Sequence, residues 1–130
     1  MKMTKIIAAA AALTLAGTAF AADPIVGNWH MIEDGQPKAV VKISQSGSTF
    51  TGVVTEGLTQ KAKGYVNTPV IKGLKAQGGG KYGAGTITDP RNNKEYDMNA
   101  TLSGNTLTIK GGYKIAGKVV GKTQVWKKAQ

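Results

Sequence analysis

The sequence predicts an all-β protein, a small antiparallel up-and-down barrel of about eight strands. Three observations predict it. Short stretches rich in Val, Ile, Thr and aromatic residues recur along the chain, separated by Gly, Asn, Ser and Asp-Pro clusters that read as turns. Helical periodicity is nearly absent. Apolar and polar residues alternate with the two-residue period of a strand, most clearly where Tyr96, Met98, Ala100 and Leu102 interleave with Glu95, Asp97, Asn99 and Thr101. A two-sheet β-sandwich is the alternative architecture.

Val26–Ile32 is the first strand, with Trp29 and Met31 in one phase. Lys38–Ser44 is the second, where Ala39, Val41 and Ile43 alternate with Val40 and Lys42. Gln45-Ser46-Gly47-Ser48 is a hairpin turn. Thr49–Glu56 is the third strand, and Phe50, Gly52 and Val54 share a phase. Gly57–Thr68 is a loop without a clear pattern. Pro69–Lys75 is a short fourth strand, broken by Gly78-Gly79-Gly80. Lys81–Thr88 is the fifth. Asp89-Pro90-Arg91-Asn92-Asn93 turns the chain, because Pro fixes φ and Asn tolerates left-handed geometry. The sixth strand carries the clear alternation, Ser103-Gly104-Asn105 turns, and Leu107 and Ile109 mark the inward phase of the seventh. Gly111-Gly112 and Gly117 bend the chain beyond it, and Val119–Lys127 is the eighth. Hairpin-length turns predict sequential antiparallel neighbours. Eighteen glycines suit a β protein with tight turns and bulges.

The first residues are of another kind. Lys2 and Lys5 precede an uncharged run, Ile6–Gly17, and Ala19-Phe20-Ala21 supplies the small-x-small pattern of a cleavage site. Met1–Ala21 therefore reads as a secretory signal peptide, leaving residues 22–130 as one domain. Its apolar run is shorter than the roughly 20 residues that span a bilayer as a helix. No other segment has the length to span, so the mature chain is expected to be a soluble bacterial protein of the periplasm or the medium, and a monomer.

The whole chain carries a net charge of +10, and loss of the two leader lysines leaves +8. Such a charge attracts anionic partners such as lipid head groups, lipopolysaccharide or cell-wall polymers; equally, it serves solubility and guards strand edges. Arg91 is the single arginine. That scarcity argues against nucleic acid, since bidentate phosphate recognition favours arginine. The absence of cysteine excludes thiol nucleophiles, thiol redox chemistry and cysteine-held zinc.

No catalytic or metal-binding constellation stands out, so the reading is of a protein that is not an enzyme and uses no cofactor. His30 is the single histidine, lies out of phase with Trp29, and has no Gly-x-Ser-x-Gly partner in the sequence. Glu95 and Asp97 share a strand face but read as a solvated face. The glycine-rich stretches Gly78-Gly79-Gly80 and Gly121-Lys122-Thr123 lack the spacing of a phosphate loop.

Several segments together carry a family resemblance: Gly27-Asn28-Trp29, Lys38-Ala39-Val40-Val41-Lys42-Ile43, Pro69-Val70, Gly73-Leu74-Lys75, Gly85-Thr86-Ile87-Thr88-Asp89-Pro90 with Lys94-Glu95-Tyr96, and Gly121-Lys122-Thr123-Gln124-Val125-Trp126. Their order and spacing resemble the exported bacterial family known as domain of unknown function 2147, over nearly the whole mature chain. The resemblance implies a compartment and a fold but no reaction. Many members look to carry two cysteines in the middle loop, where Thr59–Thr68 has none, so no disulfide or metal role carries over. Asn93 stands where the family often has Gly. The Gly-x-Trp of the first strand also resembles lipocalin-like barrels, in which a basic residue at the end of the last strand packs over that Trp. The resemblance implies Lys127 or Lys122 for that part with Trp29.

A barrel mouth is where a ligand pocket is expected. The resulting expectation is a site for a small amphipathic or anionic ligand, a fatty-acid-like molecule first. Trp29, Phe50, Met98 and Trp126 would line its apolar part, and Lys42, Lys72, Lys75 or Lys122 would meet its carboxylate. The rival reading is a basic protein that contacts the envelope or an acidic partner protein. A chain this short also allows an interior filled by its own side chains.

Overall fold

The computed structural model describes residues 22–129; the leader Met1–Ala21 lies outside them. Eight strands form one closed antiparallel barrel in sequence order. They are β1 (Gly27–Glu33), β2 (Gln36–Ser46), β3 (Thr49–Gly57), β4 (Pro69–Gly78), β5 (Lys81–Asp89), β6 (Lys94–Ser103), β7 (Thr106–Ile115) and β8 (Lys118–Lys128). A single 3-10 turn, Ala62–Tyr65, interrupts the loop after β3. The barrel is the architecture expected, and the sandwich is not found.

Period-two alternation sets the inside. On β2, Ala39, Val41 and Ile43 are buried between exposed or half-buried neighbours. On β6, Met98 and Ala100 are buried and Tyr96 and Leu102 pack against the core. Two strands break the rule. Ile71 and Leu74 are three apart and both fully buried. Between them the β3–β4 register slips by one, and Gly73 takes a positive φ of 66°. A bulge of this kind turns the following side chains to the other face. The β5–β6 register shifts likewise between Tyr82 and Gly85, beside Ala84 at φ 61°.

Several elements run further than their sequence suggested: β2 spans Gln36–Ser46, taking in Gln45 and Ser46 of the expected turn. β4 continues to Gly78, and β7 passes through Gly111 and Gly112 to Ile115. The glycines bend that strand without ending it. A Cβ added at Gly112 would overlap the Val120 carbonyl oxygen, and one added at Gly121 would overlap that of Gly111. Only glycine allows the two backbones this approach.

The two ends of the barrel differ. At one end, the chain before β1 folds across the opening. Val26 N–H donates to the Asp23 carbonyl, and Ile25 N–H donates to Asp23 Oδ1 at 3.0 Å. Ile25 is thereby pressed into the core, where Trp29 Nε1 donates to its carbonyl at 2.8 Å. Trp29, Phe50, Tyr82, Leu107 and Trp126 fill this half, with Phe50 and Tyr82 edge to face at 5.6 Å. Fully burying each such side chain is worth roughly 1.5–3 kcal/mol. The other half is not filled. The wall closes through a short seam: among the described residues β1 pairs in register with β8 at Trp29–Lys128 and His30–Lys127, and Ala129 N–H donates to the Asn28 carbonyl just beyond them. By contrast β7 and β8 stay paired from Thr106–Lys127 to Ile115–Lys118.

Candidate functional site

The unfilled half is a cavity of about 780 Å³. That lies within the roughly 300–1,000 Å³ typical of small-molecule pockets. It opens at the end that carries the β1–β2, β5–β6 and β7–β8 turns and the loop after β3. Inward residues from the mouthward halves of the strands make its apolar wall: Met31, Ala39, Val54, Ile87 and Tyr96. Gly111 lines it too, and its missing side chain leaves room beside Ile87.

The loop after β3 forms part of the rim. Thr59 caps the 3-10 turn, its Oγ1 accepting from Ala62 N–H at 3.0 Å and its carbonyl from Lys63 N–H. Gly57 lies so close to Ala62 and Lys63 that a Cβ there would overlap their backbone. The loop then returns to β3, where Asn67 N–H donates to the Val54 carbonyl and Val54 N–H to that of Thr68. This path sets Ala62 and Tyr65 against the cavity and Lys61 on its edge.

Charged side chains of both signs stand on the rim. Arg91 in the β5–β6 turn donates from Nη2 to Asp89 at 2.8 Å and reaches Glu33 of β1 at 3.6 Å. The hydrogen bond from Arg91 holds the Asp89 carboxyl below its usual range. Arg91 is thus committed to its carboxylates. Lys38, Lys61 and Lys122 also line the cavity, and among the described residues none of them makes an ion pair. Thr88, in the same wall, has a buried hydroxyl with no hydrogen-bond partner among the described residues.

The residues anticipated from sequence divide into three groups. Trp29, Phe50, Met98 and Trp126 come together, but as the packed plug beneath the cavity rather than as its lining. Lys42, Lys72 and Lys75 are exposed outside the cavity, and Lys72 Nζ pairs with Glu95 at 3.1 Å. Lys122 alone of them lines the cavity. The residue over Trp29 is neither Lys127 nor Lys122 but Lys128. Its Nζ sits 4.8 Å from the indole centre and donates to the Val26 carbonyl at 3.0 Å. The correction is one of register: Lys127 points outward to Thr106 Oγ1, so its neighbour takes the inward phase.

Sequence reasoning missed Lys38, Lys61, Tyr65 and the Arg91 cluster. Alternation on β2 makes Ala39 an inward residue and places its neighbour Lys38 in the outward phase, so the place of Lys38 at the mouth could not be read from period two. Lys61 and Tyr65 could not be read either, because a loop has no period; the Thr59 cap three residues before Ala62 was its one local signal.

Among the described residues no group of His, Asp and Glu side chains has the arrangement to hold a metal ion. No helix of the described residues is long and apolar enough to cross a membrane.

A family model described as "Uncharacterized protein conserved in bacteria (DUF2147)" matches residues 27–128. Among solved structures, the barrel is similar to one titled "Protein HP1028 from the human pathogen Helicobacter pylori belongs to the lipocalin family". The two share 17% identity and a TM-score of 0.64, over 81% of this chain and 82% of that one. At this identity the likeness is one of fold. No curated protein matches the chain.

Proposed function

The chain belongs to the DUF2147 family of bacterial proteins, and from its barrel we propose a non-enzymatic binding protein for a small amphipathic molecule with an anionic end. The observation that carries the reading is the cavity of about 780 Å³ above a filled plug. A barrel that only needed a core would continue its packing to both ends. The ligand's apolar body would lie against Met31, Val54, Ile87 and Tyr96. Its anionic end would meet Lys38, Lys61 and Lys122 at the rim, where a carboxylate stays partly hydrated. A fatty acid has this form. The leader pattern of Met1–Ala21 supports work outside the cytoplasm, in the periplasm or the medium.

The test uses the mature protein. Native mass spectrometry of fresh preparations is expected to show a bound lipid-sized adduct. A fluorescent fatty-acid analogue is expected to bind and to be lost in Ala39→Trp, which fills the cavity from its wall. Lys38→Gln with Lys122→Gln is expected to weaken a fatty acid and to leave the matching fatty alcohol unchanged. Failure of the analogue to bind, or binding indifferent to Ala39→Trp, would overturn the proposal.

A further inference from the structure

Beyond Gly112 the registered pairing of β7 with β6 ends and the β7–β8 hairpin runs on, touching β6 through the Tyr113–Tyr96 ring contact and Lys114 N–H, which donates to Asp97 Oδ2 at 3.3 Å. Cross-strand pairing of Tyr113 with Val120 and of Ile115 with Lys118 puts these four side chains on one face. That face is wet. Tyr113 is 66% exposed, Ile115 61% and Val120 52%. On the opposite face Val119 is buried, while its cross-strand partner Lys114 stays exposed. There, Val119 meets a shallow groove with Asn99, Thr101 and Lys110 of the outer wall, which Gly117 and Lys118 border at the turn. The hairpin thus leans on the barrel by one face and holds out an apolar tip with the other. Tyr113 and Val120 also belong to the cavity rim, so this tip stands beside the mouth.

The surrounding charge is of one sign. Lys114, Lys118 and Lys122 flank the apolar side chains, and no acidic residue comes after Asp97 in the chain. Apolar side chains ringed by lysines are the pattern of a surface that enters the head-group region of a negatively charged bilayer. A second copy of the chain fits poorly, because it would set lysines against lysines.

We propose that the Tyr113–Lys122 hairpin docks the barrel, mouth first, on an anionic phospholipid bilayer. Ile115 would enter the acyl boundary, and Lys114 and Lys118 would meet the phosphates. The inference stands apart from the cavity's ligand, since Ile115, Lys114 and Lys118 do not line the cavity.

The experiment is flotation of the mature protein with vesicles of phosphatidylcholine alone or with one third phosphatidylglycerol. Binding is expected to the mixed vesicles only, and to fall steeply as salt shortens the reach of the charges. Each lysine near an anionic face strengthens partitioning about fivefold, so Lys114→Gln with Lys118→Gln should weaken it about 25-fold. Ile115→Ser should weaken it roughly tenfold. These variants should keep wild-type melting temperatures and wild-type binding of the fatty-acid analogue. Equal recovery on both vesicles, recovery on neither, or full binding by Ile115→Ser would overturn the proposal. So would concentration-dependent dimers in sedimentation that Ile115→Ser abolishes, which would assign the tip to a second copy.

Discussion

Lys128 holds its ammonium 4.8 Å from the centre of the Trp29 indole and donates to the carbonyl of Val26. One side chain from the last strand thereby ties together the first strand and the segment that plugs the barrel. A half-buried cation over an indole is worth about 0.5–2 kcal/mol, and its hydrogen bond about 1 kcal/mol more. Lys128→Met is therefore expected to lower stability by about 1–3 kcal/mol in urea unfolding. Lys127→Met, whose ammonium reaches only the exposed Thr106 hydroxyl, should cost much less.

The plug has a second fastening. Tyr82 donates its hydroxyl to Asp23 Oδ1, from inside the barrel to the chain before β1. Burial, with the Asp23 carboxylate beside it, raises the Tyr82 hydroxyl far above its usual value of 10.0. A raised value means the fold favours the protonated phenol. The stabilisation is complete below that usual value and is lost as pH rises through the folded-state one. Tyr82→Phe should lose about 1.5–3 kcal/mol at neutral pH, as for a hydrogen bond to a charged group. Its deficit against wild type should shrink in strong alkali. Ultraviolet titration should show one of the four tyrosines resisting ionisation until the barrel opens, and Tyr82→Phe should remove that one.

Asp89 behaves in the opposite sense. The Arg91 hydrogen bond keeps its carboxyl below the ordinary 3.8. The stability this adds is present above that value and disappears as pH falls through the lower, folded-state one. Asp89→Asn should therefore melt below wild type at neutral pH and level with it in strong acid. A gap that persists in acid would separate the turn's stability from this ion pair.

Gly112→Ala is expected to be severe, above about 3 kcal/mol, because its Cβ would occupy the Val120 carbonyl oxygen. Gly35→Ala tests the other kind of glycine. At φ 76° with open space around it, it should cost only about 1–2 kcal/mol of backbone strain. Thermal melts of the two variants compare a packing limit with a conformational one.

Lys72→Ala should change stability by no more than about 1 kcal/mol, since its pair with Glu95 is solvent-exposed. It should also leave binding of the fatty-acid analogue unchanged, unlike Lys122→Gln.

Much of the architecture was legible in the sequence. Tyr96, Met98 and Ala100 reported their wall because alternation needs no knowledge of the rest of the fold. Ile71 and Leu74 did not fit a single phase, since a bulge at Gly73 turns the strand between them. The site was harder to read. Trp29, Phe50 and Trp126 were legible as inward residues, yet inwardness does not say how far along the axis a side chain lies. In this barrel that height separates plug from cavity. The choice of Lys128 over Lys127 turned on a one-residue register that only the paired strand fixes.

The seam between β1 and β8 gives the barrel a built-in compliance. Its two registered pairs lie at the plugged end, and among the described residues no pairing joins Met31–Glu33 to β8 above them. A cylinder fastened only near its base can part along that line without disturbing the rest of the weave. Hydrogen exchange checks this: slow exchange of the amides on the β8-facing side of β1 is expected to stop beyond His30, where the registered pairing ends.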